Sequence, residues 1–154
     1  MGVDLHETID LLNDLIRTLR DDQENFRTAA EHVESSDLKV MLMDFSTERA
    51  RFLGDLQNET ERLGEPEPAN SGSITGALRR GWVGLKAALA SNRDEAVLEE
   101  CEKAEDAAIN RYGEVLSHEI PRYIRETLER QIEQIGRERA QLAEARRQLA
   151  HVQA

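Results

Sequence analysis

The chain has 154 residues, of which 33% are charged and only 4% aromatic, and its formal net charge at pH 7 is -11. A charge of this sign argues against a nucleic-acid backbone or an anionic membrane surface as the main partner, because both bind through Lys and Arg. The length suffices for one domain with a sizeable core, so residues 1–154 are treated as a single domain. Abundant Ala, Leu, Glu, Arg and Gln favour long helices over strands.

The N-terminal sequence and the cysteine content bear on the compartment. The first residues contain no basic segment followed by an apolar core, so no secretory signal is predicted. No apolar run approaches the roughly 20 residues that cross a bilayer as a helix. The single cysteine, Cys101, rules out a disulfide within the chain. These features predict a cytoplasmic protein.

The first two predicted helices form a hairpin. Helix periodicity spans residues 5–33, with Asp4 as its cap, and residues 37–63, with Ser36 as the cap and Gly64 as the stop. The turn between them is so short that the two helices are predicted to be antiparallel.

A long connection follows the first hairpin. Residues 64–72 are rich in Pro, Gly, Asn and Ser and have no helix potential. Residues 74–90 predict a shorter helix that lies across the other helices, with Trp82 as its anchor. Its glycines, Gly76, Gly81 and Gly84, lower helix propensity and are expected to permit close approach to another backbone.

The last two predicted helices form a second hairpin, over residues 93–117 and 121–150, with Pro121 at the favoured first helical position. Two antiparallel hairpins joined by one long crossover are typical of ferritin-like bundles. The sequence therefore predicts an all-α, ferritin-like four-helix bundle whose crossover carries a short fifth helix.

Polar residues interrupt the apolar stripe near the middle of each long helix. They are Gln23, Glu48 beside Arg49, Glu105 and Gln131. Counted from the two hairpin turns, these positions agree in height to roughly one helical turn, which predicts a single polar layer. One interpretation is a structural network with Arg49 between Glu48 and Glu105, because buried polar groups persist only when paired.

The other interpretation of the polar layer is a metal site. Oxygen ligands for iron or manganese would come from the following residues: Glu24, Glu48, Glu102, Glu105 and Gln131. The fixed positive charge of Arg49 counts against this interpretation. The four histidines also lie near predicted helix ends, too far away to reach the layer: His6, His32, His118 and His151.

Several segments carry a family resemblance: LNDLIRTLRDDQENFRTAAE, FSTERARF, SGSITGALRRGWVGLKAAL and ECEKAEDAAINRY. On these segments the chain resembles an uncharacterised bacterial family, a domain of unknown function within the ferritin-like superfamily. The resemblance implies a ferritin-like bundle and no known activity.

The resemblance also bears on the di-iron pattern of the superfamily, which this sequence matches only in part. Its helix-A carboxylate falls at Gln23 or Glu24, and its helix-C carboxylate matches Glu105, or Glu102 one turn away. The histidines of its two Glu-x-x-His motifs are replaced by Arg51 and by Gln134. Weak metal binding or none is therefore expected, and no cofactor is assigned.

Other residues have alternative interpretations. Cys101 is a buried, inert thiol or a redox sensor. The pair Arg79-Arg80 lies on a solvated face or binds an acidic partner. The end of the last helix either frays or forms a seam for homo-oligomerisation through helix faces, using the following side chains: Leu142, Ala145, Leu149 and Val152.

Two functional hypotheses follow from the sequence. In the first, the protein is a soluble, non-catalytic bundle with a degenerate di-metal site that acts through protein association or in a stress response. In the second, a carboxylate site in the middle of the bundle binds or oxidises divalent iron or manganese.

Overall fold

The computed structural model describes the backbone of residues 2–65, 76–91 and 93–153, and the side chains of residues 2–65, 84–91 and 93–151. Over these ranges the chain forms α1 (Leu5–His32), α2 (Ser36–Arg62), α3 (Gly76–Ser91), α4 (Asp94–Leu116) and α5 (Arg122–Gln153). The described part contains no strand, which confirms the all-α prediction. The helix ends differ from the predicted ones by no more than a few residues, the ordinary uncertainty of helix boundaries.

None of the helices in the described ranges has the length and apolar character that crossing a membrane requires.

Local sequence sets the ends of the first two helices. The Asp4 carboxylate accepts hydrogen bonds from two backbone N–H groups of the first turn of α1, at 3.0 and 3.1 Å. The cap of α2 is Ser35, one residue before the predicted Ser36, and its hydroxyl accepts from the Leu38 N–H at 3.3 Å. Gly64 follows the end of α2 with φ +103°, a left-handed conformation that favours glycine.

The four long helices pack as two antiparallel hairpins, α1 with α2 and α4 with α5. The hairpins meet where α1 contacts α4 and α2 contacts α5, and α3 packs against α4 and α1. A Cβ added to Gly84 would lie 2.5 Å from the Oε2 atom of Glu100, so the glycine lets α3 approach α4 closely. The side chain of Trp82, the predicted anchor of this segment, lies outside the described residues.

The hydrophobic core consists of two separate clusters. The lower cluster is built from the first half of α1 and α5 and the second half of α2 and α4; its buried members are Leu12, Leu15, Ile16, Leu19, Phe52, Leu53, Leu56, Ala108, Tyr112, Val115, Ile120, Ile124, Leu128 and Ile135. The upper cluster occupies the opposite end of the helices together with part of α3; its buried members are Phe26, Ala29, Ala30, Val33, Leu38, Leu42, Phe45, Leu85, Ala88, Val97, Leu98, Cys101 and Leu142. In each long helix, a buried charged residue lies between the part that belongs to the lower cluster and the part that belongs to the upper cluster.

The C-terminal part of α5 contributes to this core. Leu142 is fully buried in the upper cluster, and Ala145 and Leu149 pack against it. These three side chains therefore cover the chain's own core and do not form a free seam. The side chain of Val152 lies outside the described residues.

Candidate functional site

A buried charged cluster separates the two hydrophobic clusters. Each long helix contributes one residue to it: Asp22 from α1, Arg49 from α2, Glu105 from α4 and Glu138 from α5. In every helix the charged residue follows the last member of one hydrophobic cluster by three or four positions and precedes the first member of the other by a similar step. The helical period therefore turns all four side chains inward.

The side chain of Arg49 joins all four helices. It is 0% exposed, and each of its nitrogen atoms donates to a different carboxylate. Nε donates to Asp22 at 3.4 Å and Nη1 to Glu138 at 2.8 Å, while Nη2 donates to Glu105. The guanidinium carbon also lies 5.2 Å from the centre of the Phe26 ring, at cation–π distance.

Carboxylates outnumber basic groups in this cluster by three to one. Burial raises the pKa of Asp22 from its ordinary 3.8 to about 7, although Arg49 opposes the rise. Burial also raises the pKa of Glu138. The Oε2 atom of Glu105 is buried with no hydrogen-bond partner in the described part of the chain. Burial of three carboxylates around one guanidinium therefore favours a protonated carboxyl group, because full ionisation would leave surplus negative charge in the interior.

The residues of the cluster do not fit a divalent metal ion. Arg49 already supplies a cation at their centre, and it uses an oxygen of each of the three carboxylates. The imidazoles that such a site would use are all exposed near helix ends, at His6, His32, His118 and His151. Among the described residues, no group of three or more His, Cys, Asp or Glu side chains has an arrangement able to hold a metal ion.

Of the residues predicted for the polar layer, Arg49 and Glu105 lie in the charged cluster and Gln23 does not. Gln23 is half-buried, and its Oε1 atom accepts from Arg20 Nη1 at 2.7 Å. The α1 residue in the cluster is its neighbour Asp22. Positions 22 and 23 both keep a spacing of three or four residues to the apolar positions on either side, so periodicity alone does not choose between them.

Glu48 was expected to pair with Arg49, and it does not. It is half-buried and forms an ion pair with Arg51 at 2.7 Å on the outer face of α2. One residue along a helix is a rotation of about 100°, so the side chain of Glu48 points away from the site at which Arg49 meets the three carboxylates. Arg49 alone points inward.

Gln131 is buried within the lower cluster, below the charged cluster. Its Oε1 atom accepts from the Tyr112 hydroxyl at 2.8 Å, and its Nε2 atom donates to the Phe52 carbonyl at 3.4 Å. The prediction assumed that α4 and α5 leave their turn at equal height. Because Glu105 and Glu138 meet at Arg49, the two helices are offset by roughly one helical turn.

The remaining candidate ligands lie elsewhere. Glu24 is exposed. Glu102 is buried between α4 and α5, where it accepts from Arg139 at 2.6 Å and also from Arg146. Cys101 is a buried, free thiol whose pKa is raised by burial, which disfavours the reactive thiolate.

Asp22 and Glu138 are the two cluster residues outside the predicted layer, and a weak signal for both exists in the sequence. Glu138 interrupts the apolar stripe between Ile135 and Leu142, seven residues after Gln131 and thus on the same helix face. In α1, an interruption of the apolar stripe at Asp22 keeps the same three-and-four spacing as one at Gln23. Only the pairing of the helices selects them.

No curated protein matches the chain. A family model described as "Domain of unknown function (DUF2383)" matches residues 7–118, a segment that contains Asp22, Arg49 and Glu105 of the charged cluster. This segment is well over half of the chain, and the protein therefore belongs to the DUF2383 family of unknown function.

Proposed function

We propose that this protein is a ferritin-like four-helix bundle without catalytic activity that acts through association with other proteins. Two antiparallel hairpins joined by one long connection support the ferritin-like arrangement. In this proposal Arg49 takes the central position that a metal ion holds in the metal-binding members of that superfamily.

The observation that carries the proposal is the set of three bonds made by Arg49. A buried guanidinium that binds one carboxylate from each of the other long helices offsets part of their negative charge and ties the four helices together at one height. Such networks specify register more than they add stability. Unlike a bound metal ion, Arg49 is part of the chain, and its place between the carboxylates favours a structural role for them.

Exposed apolar side chains on the long helices support a role in association. Val40 and Met43 on α2 and Tyr123 on α5 are all exposed. Scattered exposed apolar residues are common, but Val40 and Met43 lie one turn apart on the same helix. Homo-oligomerisation through helix faces, which the sequence predicted, is one form that this association can take.

Divalent-metal binding or oxidation is the competing function, and one observation favours it. Three carboxylates converge on one guanidinium, and the Oε2 atom of Glu105 has no partner among the described residues. Surplus carboxylate oxygen is what a divalent cation prefers. The competing function requires Arg49 to leave the cluster when the ion binds.

Metal titration separates the two functions. The purified protein is titrated anaerobically with Fe²⁺ and with Mn²⁺ by calorimetry, and its metal content is then measured by elemental analysis. We expect no stoichiometric binding to the natural protein or to Arg51→Ala, the control on the outer face of α2. Stoichiometric binding of either ion by the natural protein would overturn the proposal, whatever its variants do.

The variant Arg49→Ala gives a second measurement. Removal of the guanidinium leaves three buried carboxylates without a cation, so Mn²⁺ is expected to raise the melting temperature of this variant and not that of the natural protein. If Mn²⁺ stabilises the natural protein as much as it stabilises Arg49→Ala, then Arg49 does not take the place of a metal.

A further inference from the structure

A groove runs along the outer surface between α2 and α5. These two helices pack together least closely among the neighbouring long helices. The groove has a volume of about 410 Å³, and its lining includes Asp37, Val40, Met41, Asp44, Glu48 and Glu138. It lies beside the charged cluster, since Glu138 belongs to both.

The lining of the groove is acidic. It contains four carboxylates and no Lys, Arg or His side chain. Glu138 is bound to Arg49 and Glu48 to Arg51, whereas Asp37 and Asp44 form no ion pair with any described residue. Two carboxylates of the groove are therefore available to a cationic partner.

The groove also offers apolar surface. Val40 is 62% exposed, Met41 is half-buried, and Phe45 is buried beneath them. Residues 37, 44 and 48 recur at intervals of seven and four along α2, so their carboxylates lie on one face, about 10 Å and about 6 Å apart along the axis. Apolar side chains on either side of a regular row of negative charge match an amphipathic helix with the same spacing of positive charge.

We propose that this groove is the docking site of a basic amphipathic helix from a partner protein. The inference rests on the proposed function, association, and names its surface and the chemistry of the partner. Apolar side chains of the partner would cover Val40 and Met41, while its Lys or Arg side chains would pair with Asp37 and Asp44 and share Glu48 with Arg51. Charge selects this occupant over a second copy of the chain, because a net charge of -11 on each copy opposes contact at an acidic groove.

The test uses a synthetic amphipathic peptide of about 18 residues, a helix of about 27 Å. Its lysines are spaced seven and four residues apart on one face, leucines at intervals of three and four form the adjoining apolar face, and the remaining positions are polar. Binding is followed by the backbone amide signals of the full-length protein in two-dimensional NMR. We expect saturable binding with shifts concentrated at residues 37–48 and 134–141, and weaker binding when NaCl rises from roughly 50 to 300 mM.

Two charge reversals make the test specific. Asp44→Lys is expected to weaken binding by at least about fivefold, because it replaces an attraction by a repulsion within the groove. The matched control is Glu129→Lys, which reverses an exposed carboxylate on the face of α5 turned away from the groove and is expected to change affinity by less than about twofold. Val40→Ser is expected to weaken binding by about threefold without altering its salt dependence.

Four results would overturn the docking proposal. They are absence of saturable binding, equal effects of Asp44→Lys and Glu129→Lys, spermine binding as tight as that of the peptide, and a dimer of the natural protein that Asp44→Lys dissociates. The third result identifies a site for small cations, and the fourth identifies a second copy as the occupant. Failure here leaves the proposed non-catalytic role intact, because that role depends on the metal titration.

Discussion

Arg49 is the residue on which the four long helices converge. Taking a guanidinium and three carboxylates out of water costs free energy, and their mutual bonds recover it only while all partners are present. The arrangement is therefore sensitive to the loss of one member, and Arg49 is the member with no substitute, since the cluster contains no other cation.

The first prediction concerns the loss of this cation. Arg49→Met keeps most of the side-chain volume but leaves Asp22, Glu105 and Glu138 without their donor, so we expect a loss of about 3–5 kcal/mol in the free energy of unfolding. Arg51→Met is the matched control on the same helix, because Arg51 is 64% exposed and should cost less than about 0.5 kcal/mol. Urea denaturation measures both. Equal effects of the two substitutions would show that the central bonds contribute no more than a surface ion pair.

The second prediction concerns pH. Burial raises the pKa of Asp22 to about 7 in the folded protein, above its ordinary value of 3.8, so the folded state binds a proton that the unfolded state releases. The stability associated with this group is fully present below about pH 4 and is lost as pH rises to about 7. We expect Asp22→Asn, which stays neutral and still accepts from Arg49, to lose less stability than the natural protein between about pH 5 and about pH 8.

Denaturation of the natural protein, Asp22→Asn and Asp10→Asn at the two pH values tests this expectation. Asp10 lies exposed on the same helix and serves as the control, which should retain the pH dependence of the natural protein. An unchanged pH dependence in Asp22→Asn would assign the buried proton to another group of the cluster, and Glu138, whose pKa burial also raises, would be the next to test.

At the scale of the elements, the hairpins are held together at their ends by side chains that bond to backbone groups. The Asp94 carboxylate, at the start of α4, accepts from the N–H groups of Glu34 and Ser35 in the α1–α2 turn, at 2.9 and 3.1 Å. At the other end, Arg125 donates to the carbonyls of Leu116 and His118, both at 2.8 Å, and thereby satisfies the end of α4. These contacts fix how far one helix is displaced along its neighbour.

The third prediction compares two acidic residues in the first turn of α4. Asp94→Ala and Glu95→Ala remove the same charge from the same helix end, so both lose a similar interaction with the helix dipole. Only Asp94 bonds to the other hairpin, and its replacement should cost about 1–2 kcal/mol more. Thermal unfolding followed by circular dichroism measures the difference. A similar melting temperature for the two variants would mean that water replaces the Asp94 bonds without loss.

In the molecule as a whole, the charged cluster divides the hydrophobic core into a lower and an upper cluster. Apolar side chains pack at many relative heights of the helices, whereas the three bonds of Arg49 form at one height only. The charged cluster therefore raises the free energy of every arrangement in which a helix is displaced by one turn along its neighbours. The lower and upper clusters still supply most of the apolar burial.

The fourth prediction concerns this division. A variant with Asp22→Leu, Arg49→Met, Glu105→Leu and Glu138→Leu should be at least as stable as the natural protein, because apolar packing replaces buried charge. It should also adopt more than one arrangement of the helices, seen as broadened amide signals in NMR or as new oligomers in sedimentation. Sharp, single signals from a monomer would show that the hydrophobic clusters alone specify the register.

The helices and their ends follow from local features of the sequence. Asp4, Gly64 and Pro121 mark helix ends through local capping and backbone conformation, and the three-and-four spacing of apolar residues assigns one face of each helix to the interior. The sequence also indicated that charged groups enter the interior near the middle of the chain's long helices, and among them Arg49 and Glu105. These features depend on neighbours within a few turns, so periodicity and caps suffice to predict them.

Which polar residues meet in the interior depends on how the helices pack against one another. Asp22 and Gln23 fit the stripe of α1 equally well, and Gln131 and Glu138 share one face of α5, so the choice depends on how far each helix is displaced along its partner. That displacement is a balance of contacts between residues distant in the chain, including the bonds of Asp94 to the α1–α2 turn. Helical periodicity carries the direction in which a side chain points, but it carries no information about the height at which a side chain from another helix meets it.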